Sequence, residues 1–420
     1  MTTSSMKGVR RERMFKDWNF DEIIDRTGTA SMKWEPGVLS AVFGEGKEDL
    51  LPLWVADMDF KCPTVVRRAM EQRLAHQIYG YSLVDPAYAP ALISWYKRRH
   101  QWEIDEEWIL TTPGIVPAAH YIVQRFTQPG DKVLIQPPVY YPFNRAIENS
   151  GRRILENPLR IRDGHYRMDF DDLEKKVRDP RAKLVILCSP HNPVGRVWTQ
   201  EELETFGQIC IRHGVLVFSD EIHCDLMMPG HRHTCFASIS EAFARHSITG
   251  LAASKTFNLA GLQQSSLIIP DAGLRREMAA QIENLGFVNA IGGTLFGAVA
   301  AAAAYNGAES WLDDLIVYLH GNFEYLKAYL ETHLPGVHVF DLQGTYLPWV
   351  DFRKTGLESD RMIQALEEDA KVGLDHGSWF GENGAGFERF NIACPRATLI
   401  QAVEATVAAI QKRSSFRGLP

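Results

Sequence analysis

Four short apolar runs in this sequence end in polar side chains of the kinds that hold or attack a small molecule. Lys183–Cys188 leads into Ser189-Pro190-His191-Asn192-Pro193-Val194-Gly195, and Val215–Ser219 leads into Asp220-Glu221-Ile222-His223. Ile248–Ala252 leads into Ser254-Lys255-Thr256, and a run closing near Leu110 leads into Thr111-Thr112-Pro113-Gly114-Ile115-Val116. A lysine at a strand end inside a cleft is partly deprotonated and reachable, so it can act as an amine nucleophile or a base. A buried carboxylate such as Asp220 can keep a neighbouring nitrogen protonated. The Gly114-Ile115-Val116 turn offers backbone N–H groups at a helix N-terminus, which suit an anion.

The elements that must position these groups alternate. Lys132–Gln136, Lys183–Cys188, Val215–Ser219, Ile248–Ala252 and Ser265–Ile269 are nearly continuous apolar runs rich in β-branched residues, as expected of strands buried on both faces. Helical patterns fall near 115–126, 140–150, 169–178 and 199–213, the last opening with Thr199 as N-cap and Glu202 at N3. Strand–helix–strand alternation predicts a mostly parallel α/β sheet, with ligands beyond the C-terminal ends of the strands. After about residue 309 the pattern changes to short strands (337–341, 346–351, 387–393) and helices (359–370, 397–413), an α+β pattern. The N-terminal stretch lacks the α/β rhythm. The expected division is 1–60, packing with the small C-terminal domain; 61–309, the large domain; and 310–420, the small domain.

Composition excludes several classes. The 420 residues are 45% hydrophobic and 23% charged with a net charge of −7, ordinary for a globular chain and adverse to nucleic acid or an anionic membrane as main partner. The six cysteines form no C-x-x-C pair, so zinc or redox clusters are not expected, and a reducing cytosol is. The basic N-terminus has no apolar segment behind it, unlike a signal peptide, and residues 1–13 read as a frayed arm. No apolar run reaches the ~20 residues of a membrane span. A cytoplasmic location is expected.

Further motifs complete the pattern: Asn19-Phe20-Asp21-Glu22, Lys33-Trp34, Leu53-Trp54-Val55-Ala56-Asp57-Met58-Asp59-Phe60, Tyr79-Gly80-Tyr81 and Arg389-Phe390-Asn391-Ile392-Ala393-Cys394-Pro395-Arg396. In this order and spacing the set resembles the fold-type-I pyridoxal-phosphate enzymes over nearly the whole chain. Within them it looks most like the carbon–sulfur β-lyases typified by cystathionine β-lyase of the maltose-regulator type. The resemblance implies a mostly parallel central sheet with helices on both faces plus a smaller α+β domain, and pyridoxal 5′-phosphate as cofactor.

It also implies roles. Lys255, in Ser254-Lys255-Thr256-Phe257-Asn258-Leu259-Ala260-Gly261, corresponds to the Schiff-base lysine and, once freed, to the base that takes the substrate Cα proton. Asp220 corresponds to the carboxylate that keeps the pyridine nitrogen protonated. Asn192 corresponds to the amide on the 3′-oxygen, with His223 where aminotransferases usually carry Tyr. Tyr140, with Tyr141 adjacent, corresponds to the ring stacked on the pyridine. Backbone at Ile115 and Val116 and the Ser254 hydroxyl would hold the phosphate. Tyr81 would reach the partner's phosphate, which implies a homodimer with shared active sites. Arg389 would grip the α-carboxylate of an amino-acid substrate, with backbone near Val55 and Ala56 beside it, and Arg396 would be structural. No metal is implied.

Three positions depart from the wider pattern. Gln263 replaces an arginine eight residues after the lysine, a change the β-lyase branch shares. Ala252 replaces a Ser or Thr, and His376 in Asp375-His376-Gly377-Ser378 stands where proline is expected. The implied reaction is β-elimination from cystathionine or another cysteine S-conjugate, giving pyruvate, ammonia and a thiol. An aminotransferase on the same scaffold and a regulator that retains the fold remain as alternatives. Trp34, Trp54, Tyr140 and Trp379 are candidates for pocket walls or for core.

Overall fold

The computed structural model describes residues 17–285 and 294–415; the expected arm at 1–13 lies outside them. The apolar runs form one seven-stranded sheet: β1 (Ile109–Thr112), β2 (Lys132–Ile135), β3 (Arg153–Glu156), β4 (Ala182–Cys188), β5 (Leu216–Asp220), β6 (Ser247–Leu251) and β7 (Ser265–Ile268). Their order is β1-β7-β6-β5-β4-β2-β3. The pairs β2/β3, β2/β4, β4/β5 and β5/β6 are parallel, while β7 runs antiparallel to both β1 and β6.

Why continuous apolar runs become strands here is visible in the alternation of their side chains. Leu184 and Ile186 face the helix Ile115–Phe126 with Ile122 and Val123, whereas Val185 and Leu187 face the helix Gln200–Arg212 with Leu203 and Phe206. Successive residues of a strand point to opposite faces, so a sheet covered on both sides needs apolar residues at every position. Thr199 caps its helix with the expected reciprocal pair, accepting from the Glu202 amide at 3.2 Å while the Glu202 carboxylate accepts from the Thr199 amide at 2.9 Å.

A second, antiparallel sheet has the order β8-β9-β11-β10, from β8 (His338–Val339), β9 (Trp349–Asp351), β10 (Asp375–His376) and β11 (Phe387–Arg389). Helices Glu309–His333 and Arg396–Ser415 accompany it. The expected helix at 359–370 is a short helix, Ser359–Gln364, continued by one π turn, Ala365–Asp369. The strand expected to reach 393 stops at Arg389, because beyond it the Asn391 side chain bonds the carbonyls of Val55 and Asp57, both at 2.6 Å. The N-terminal stretch joins this part of the molecule, with Leu51–Pro52 pairing in parallel with Val372–Gly373. The two sheets share a core: Trp349 stacks on Phe387 at 5.2 Å in a cluster that also contains Phe206. Among the described residues no helix is long and apolar enough to cross a membrane.

Candidate functional site

Sheet register brings the four polar signatures to one edge. Cys188 pairs with Asp220, Asp220 with Gly250, Leu251 with Ser266, and Ser265 with Thr112. A cleft of about 270 Å³ opens there, lined by Ala56, Gly114, Ile115, Val116, Tyr140, Asn192, Asp220, His223, Ser254 and Lys255 among others. It therefore gathers nine of the twelve residues singled out from the sequence, plus the backbone of Gly114.

Lys255 lies in the four-residue helix Ala253–Thr256 just past β6. Its Nζ donates to the Ala56 carbonyl at 2.6 Å. Burial lowers its pKa to about 8, with Asp57 and Asp220 opposing and Arg389 reinforcing the shift. The loop is anchored on both sides. Thr256 donates to Asp225 at 2.8 Å, and Asn258, held at φ 58°, bonds the Met58 amide and the carbonyls of Met58 and Phe60. Asparagine tolerates that left-handed conformation better than most residues.

Asp220 ends β5, buried, with one Oδ1 accepting from the Ile222 amide at 3.1 Å. Burial raises its pKa to about 7, opposed by that amide and by Lys255. A carboxylate so placed is stabilised by a cationic partner. His223 is buried with its Nδ1 lacking a hydrogen-bond partner; burial first, then the charges of Lys255 and Arg389, hold it neutral by lowering its pKa well below the usual range. Asn192 Oδ1 accepts from Arg389 Nη1 at 2.8 Å, which leaves its amide N–H groups free to donate to a ligand. Of the adjacent tyrosines, Tyr140 lines the cleft, whereas Tyr141 packs toward Phe380 and Trp379.

At the opposite end the Gly114 amide is taken by Ser265 Oγ at 3.0 Å, which fixes the turn and leaves the first helical amides, at Ile115 and Val116, to face an anion. Beside them Gln264 lines the cleft with both amide atoms buried. Sequence reasoning missed Gln264, and its adjacency to Gln263 was the available signal.

Three expected residues sit elsewhere. Arg389 is buried behind Asn192, its Nη2 donating to the Trp54 carbonyl at 3.2 Å and to the carboxylate of Asp375, the residue facing it on β10. The Val55 carbonyl is already taken by Asn391 and by the Asp57 amide, so of the pair only Ala56 lines the cleft. Tyr81 is 92% exposed and stands outside the cleft of its own chain. The aromatic candidates divide: Tyr140 is in the cleft, Trp34 bonds Asp59, and Trp54 and Trp379 pack together around Leu39 and Leu50.

The arrangement fits pyridoxal 5′-phosphate. It offers an amine for the aldehyde, a buried acid for the pyridine nitrogen, a flat side chain for the ring, and helix-terminal amides for the phosphate.

Comparison with known proteins agrees with this. The model of the family "Aminotransferase class I and II" matches residues 48–405. The chain is 45% identical to the cystathionine beta-lyase PatB of Bacillus subtilis, covering 93% of this chain and 100% of that one. It is 31% identical to the protein MalY of Escherichia coli, covering 94% and 99%. Among solved structures, cystalysin from Treponema denticola, which contains pyridoxal 5′-phosphate, superposes with a TM-score of 0.88 at 37% identity, covering 94% and 99%.

Proposed function

The chain belongs to the aminotransferase class I and II family, and we propose that within it the chain is a pyridoxal-phosphate-dependent carbon–sulfur β-lyase acting on cystathionine or related cysteine S-conjugates. The observation that carries this reading is the full-length similarity to a cystathionine beta-lyase, joined to a cleft that gathers Lys255, Asp220 and Asn192.

The cofactor, when bound, supplies an electron sink for the charge left at the substrate Cα. Lys255 would hold it covalently, and its amine, bonded to the Ala56 carbonyl and partly neutral near pH 8, would be the base that takes the Cα proton. Asp220 stays ionised against the pyridine nitrogen and keeps its proton in place. Asn192 and the neutral His223 serve the 3′-oxygen, Tyr140 covers one ring face and excludes water, and the Ile115 and Val116 amides with Ser254 hold the phosphate. Arg389, with Asn192 and the Trp54 carbonyl steadying it, binds the substrate carboxylate. The thiolate departs from Cβ, and the released enamine hydrolyses to pyruvate and ammonia.

The same reading includes a homodimer. Tyr81 belongs to a stretch with Ile78, Tyr79 and Leu83 that leaves large apolar side chains more than half exposed, as a surface meant for a second copy does. Tyr81 then completes the partner's phosphate site. A cytoplasmic location accords with six cysteines that are all free. A division near residues 60 and 309 accords with the pairing of Leu51–Pro52 with Val372–Gly373 and with the helix that starts at Glu309.

The test is product analysis with L-cystathionine and no keto acid. Pyruvate, ammonia and thiol accumulating in equal amounts support the β-lyase. No pyruvate, with the yellow colour bleached and restored by a keto acid, means an aminotransferase instead.

A further inference from the structure

His376 stands where the resemblance implies proline, and the structure gives it a large number of partners. It lies on β10 next to Asp375. In register, Asp375 faces Arg389 and His376 faces Glu388, so the two neighbouring pairs occupy opposite faces of the β10–β11 ribbon. His376 Nδ1 is 2.9 Å from one Glu388 oxygen, and Nε2 is 2.9 Å from Glu367 in the π turn. All three side chains are buried. Burial raises the Glu388 carboxyl's pKa, but the charge and hydrogen bond of His376 oppose that shift; with both carboxylates ionised and only accepting, both ring nitrogens donate and the ring is an imidazolium. Lys47, 3.4 Å from Glu367, balances the remaining charge. Phe43 and Trp379 close the ring in edgewise at 6.0 and 5.1 Å, and Phe43 also packs on Trp54, whose carbonyl accepts from Arg389.

We propose that His376 is a positioning residue for substrate carboxylate recognition: its imidazolium clamps β10 to β11 and to the π turn, and so fixes the Asp375–Arg389 pair on the other face. This rests on the reading of Arg389 as the carboxylate-binding group. β10 is only two residues long, so its backbone ladder holds it weakly and the side-chain clamp decides where Asp375 sits. Loss of the His376 proton leaves one N–H between two buried carboxylates, and their repulsion separates the elements that carry them.

The charged groups facing the ring are Glu388 from β11 and Glu367 from the π turn, with Lys47 beyond Glu367. Burial alone would lower the imidazole pKa, but the Glu388 charge and the bonds to both carboxylates raise it to about 10. A group whose folded pKa is raised keeps its proton, and its contribution, at neutral pH and loses it as pH rises through the folded value. Carboxylate recognition therefore weakens on the alkaline side.

The experiment measures kcat and KM for L-cystathionine from pH 7 to 10.5 with holoenzyme, comparing wild type, His376→Gln, Glu367→Gln and Arg389→Lys, with visible cofactor absorbance recorded for each. His376→Gln is expected to raise KM about tenfold at pH 8, below the ~100-fold that a 1 Å misplacement can produce, with kcat within about threefold of wild type. Cofactor absorbance is unchanged, and the alkaline rise in KM is gone. Glu367→Gln keeps the imidazole but removes one stabilising carboxylate, so its KM rise moves to lower pH, and it serves if His376→Gln folds poorly. Wild-type KM and pH profile in both variants, while Arg389→Lys raises KM, would overturn the proposal and leave the site reading intact. An unchanged KM in Arg389→Lys as well would overturn both.

Discussion

Asp220→Asn should stabilise the cofactor-free protein and at the same time weaken its hold on the cofactor. Without it, Asp220 is a buried carboxyl whose pKa is moved from 3.8 to about 7, chiefly by burial. A raised carboxyl pKa means the folded chain holds a proton that the unfolded chain has released, so stability falls as pH rises from about 4 to 7 and stays lowered above that. At 1.36 kcal/mol for each pKa unit the cost at pH 8 is on the order of 4 kcal/mol, an upper bound because water entering the empty cleft reduces it. Asparagine is nearly isosteric and carries no charge, and its Oδ1 can still accept from the Ile222 amide. Cofactor-free Asp220→Asn should therefore melt above wild type at pH 8, and the two should converge below about pH 4. With pyridoxal 5′-phosphate that advantage shrinks, since the variant loses a charge-assisted hydrogen bond worth ~1.5–3 kcal/mol, roughly 10- to 100-fold in cofactor affinity. The assays are thermal melts of both forms across pH and titration of the cofactor-free protein by visible absorbance. Unchanged cofactor affinity together with turnover near wild type would refute Asp220 as the pyridine partner. A cofactor-free variant no more stable than wild type at pH 8 would refute the burial argument.

Lys255→Ala should abolish the visible band of the covalently held cofactor and lower turnover by at least ~100-fold, the low end for loss of a positioned general base; turnover near wild type would remove Lys255 from the mechanism. Tyr81→Ala chains mixed with Lys255→Ala chains, dissociated and reassociated, should regain activity that neither has alone, because a shared site leaves one intact copy in each mixed dimer; no recovery on reassociation would place Tyr81 outside the site. Thr199→Ala removes the reciprocal cap at the start of Gln200–Arg212 and should lower stability by about 1 kcal/mol in denaturant melts, with KM unchanged.

What the sequence made legible was whatever depends on neighbours in the chain. Strands buried on both faces announce themselves as unbroken apolar runs, and each of the four polar signatures begins where such a run ends, so Lys255, Asp220 and Asn192 could be placed at one edge before any pairing was known. The run at Ser265 likewise announced a strand but not its antiparallel direction, because a period of two carries no polarity. β3 was missed because Arg153-Ile154-Leu155-Glu156 is a short, half-exposed edge strand with charge at both ends. Long-range pairs were the least legible. Nothing local to Asp375 shows that it will face Arg389, since β10 is two residues long and its partner lies across an intervening loop. Trp54 and Tyr140 are equally aromatic and equally close to motif residues. Only packing sends the first into a cluster with Leu39 and Leu50 and the second into the cleft.

The segment 53–60 shows how those long-range pairs make one site from distant parts of the chain. It has almost no regular structure of its own, so its backbone groups need partners from outside. Asn258, three residues past Lys255, satisfies the Met58 amide and the Met58 and Phe60 carbonyls. Asn391, two residues past Arg389, satisfies the Val55 and Asp57 carbonyls. Between these anchors the Ala56 carbonyl is left to accept from Lys255 at 2.6 Å and from Tyr346 at 2.8 Å. The loop that carries Lys255 and the strand that carries Arg389 are thus tied to the same eight residues, each through an asparagine a short step from the side chain given a role under the proposed function. Moving either asparagine's anchor moves the carbonyl to which the Lys255 amine bonds. The distance between the Lys255 amine and the Arg389 guanidinium is set by this segment as much as by the sheet.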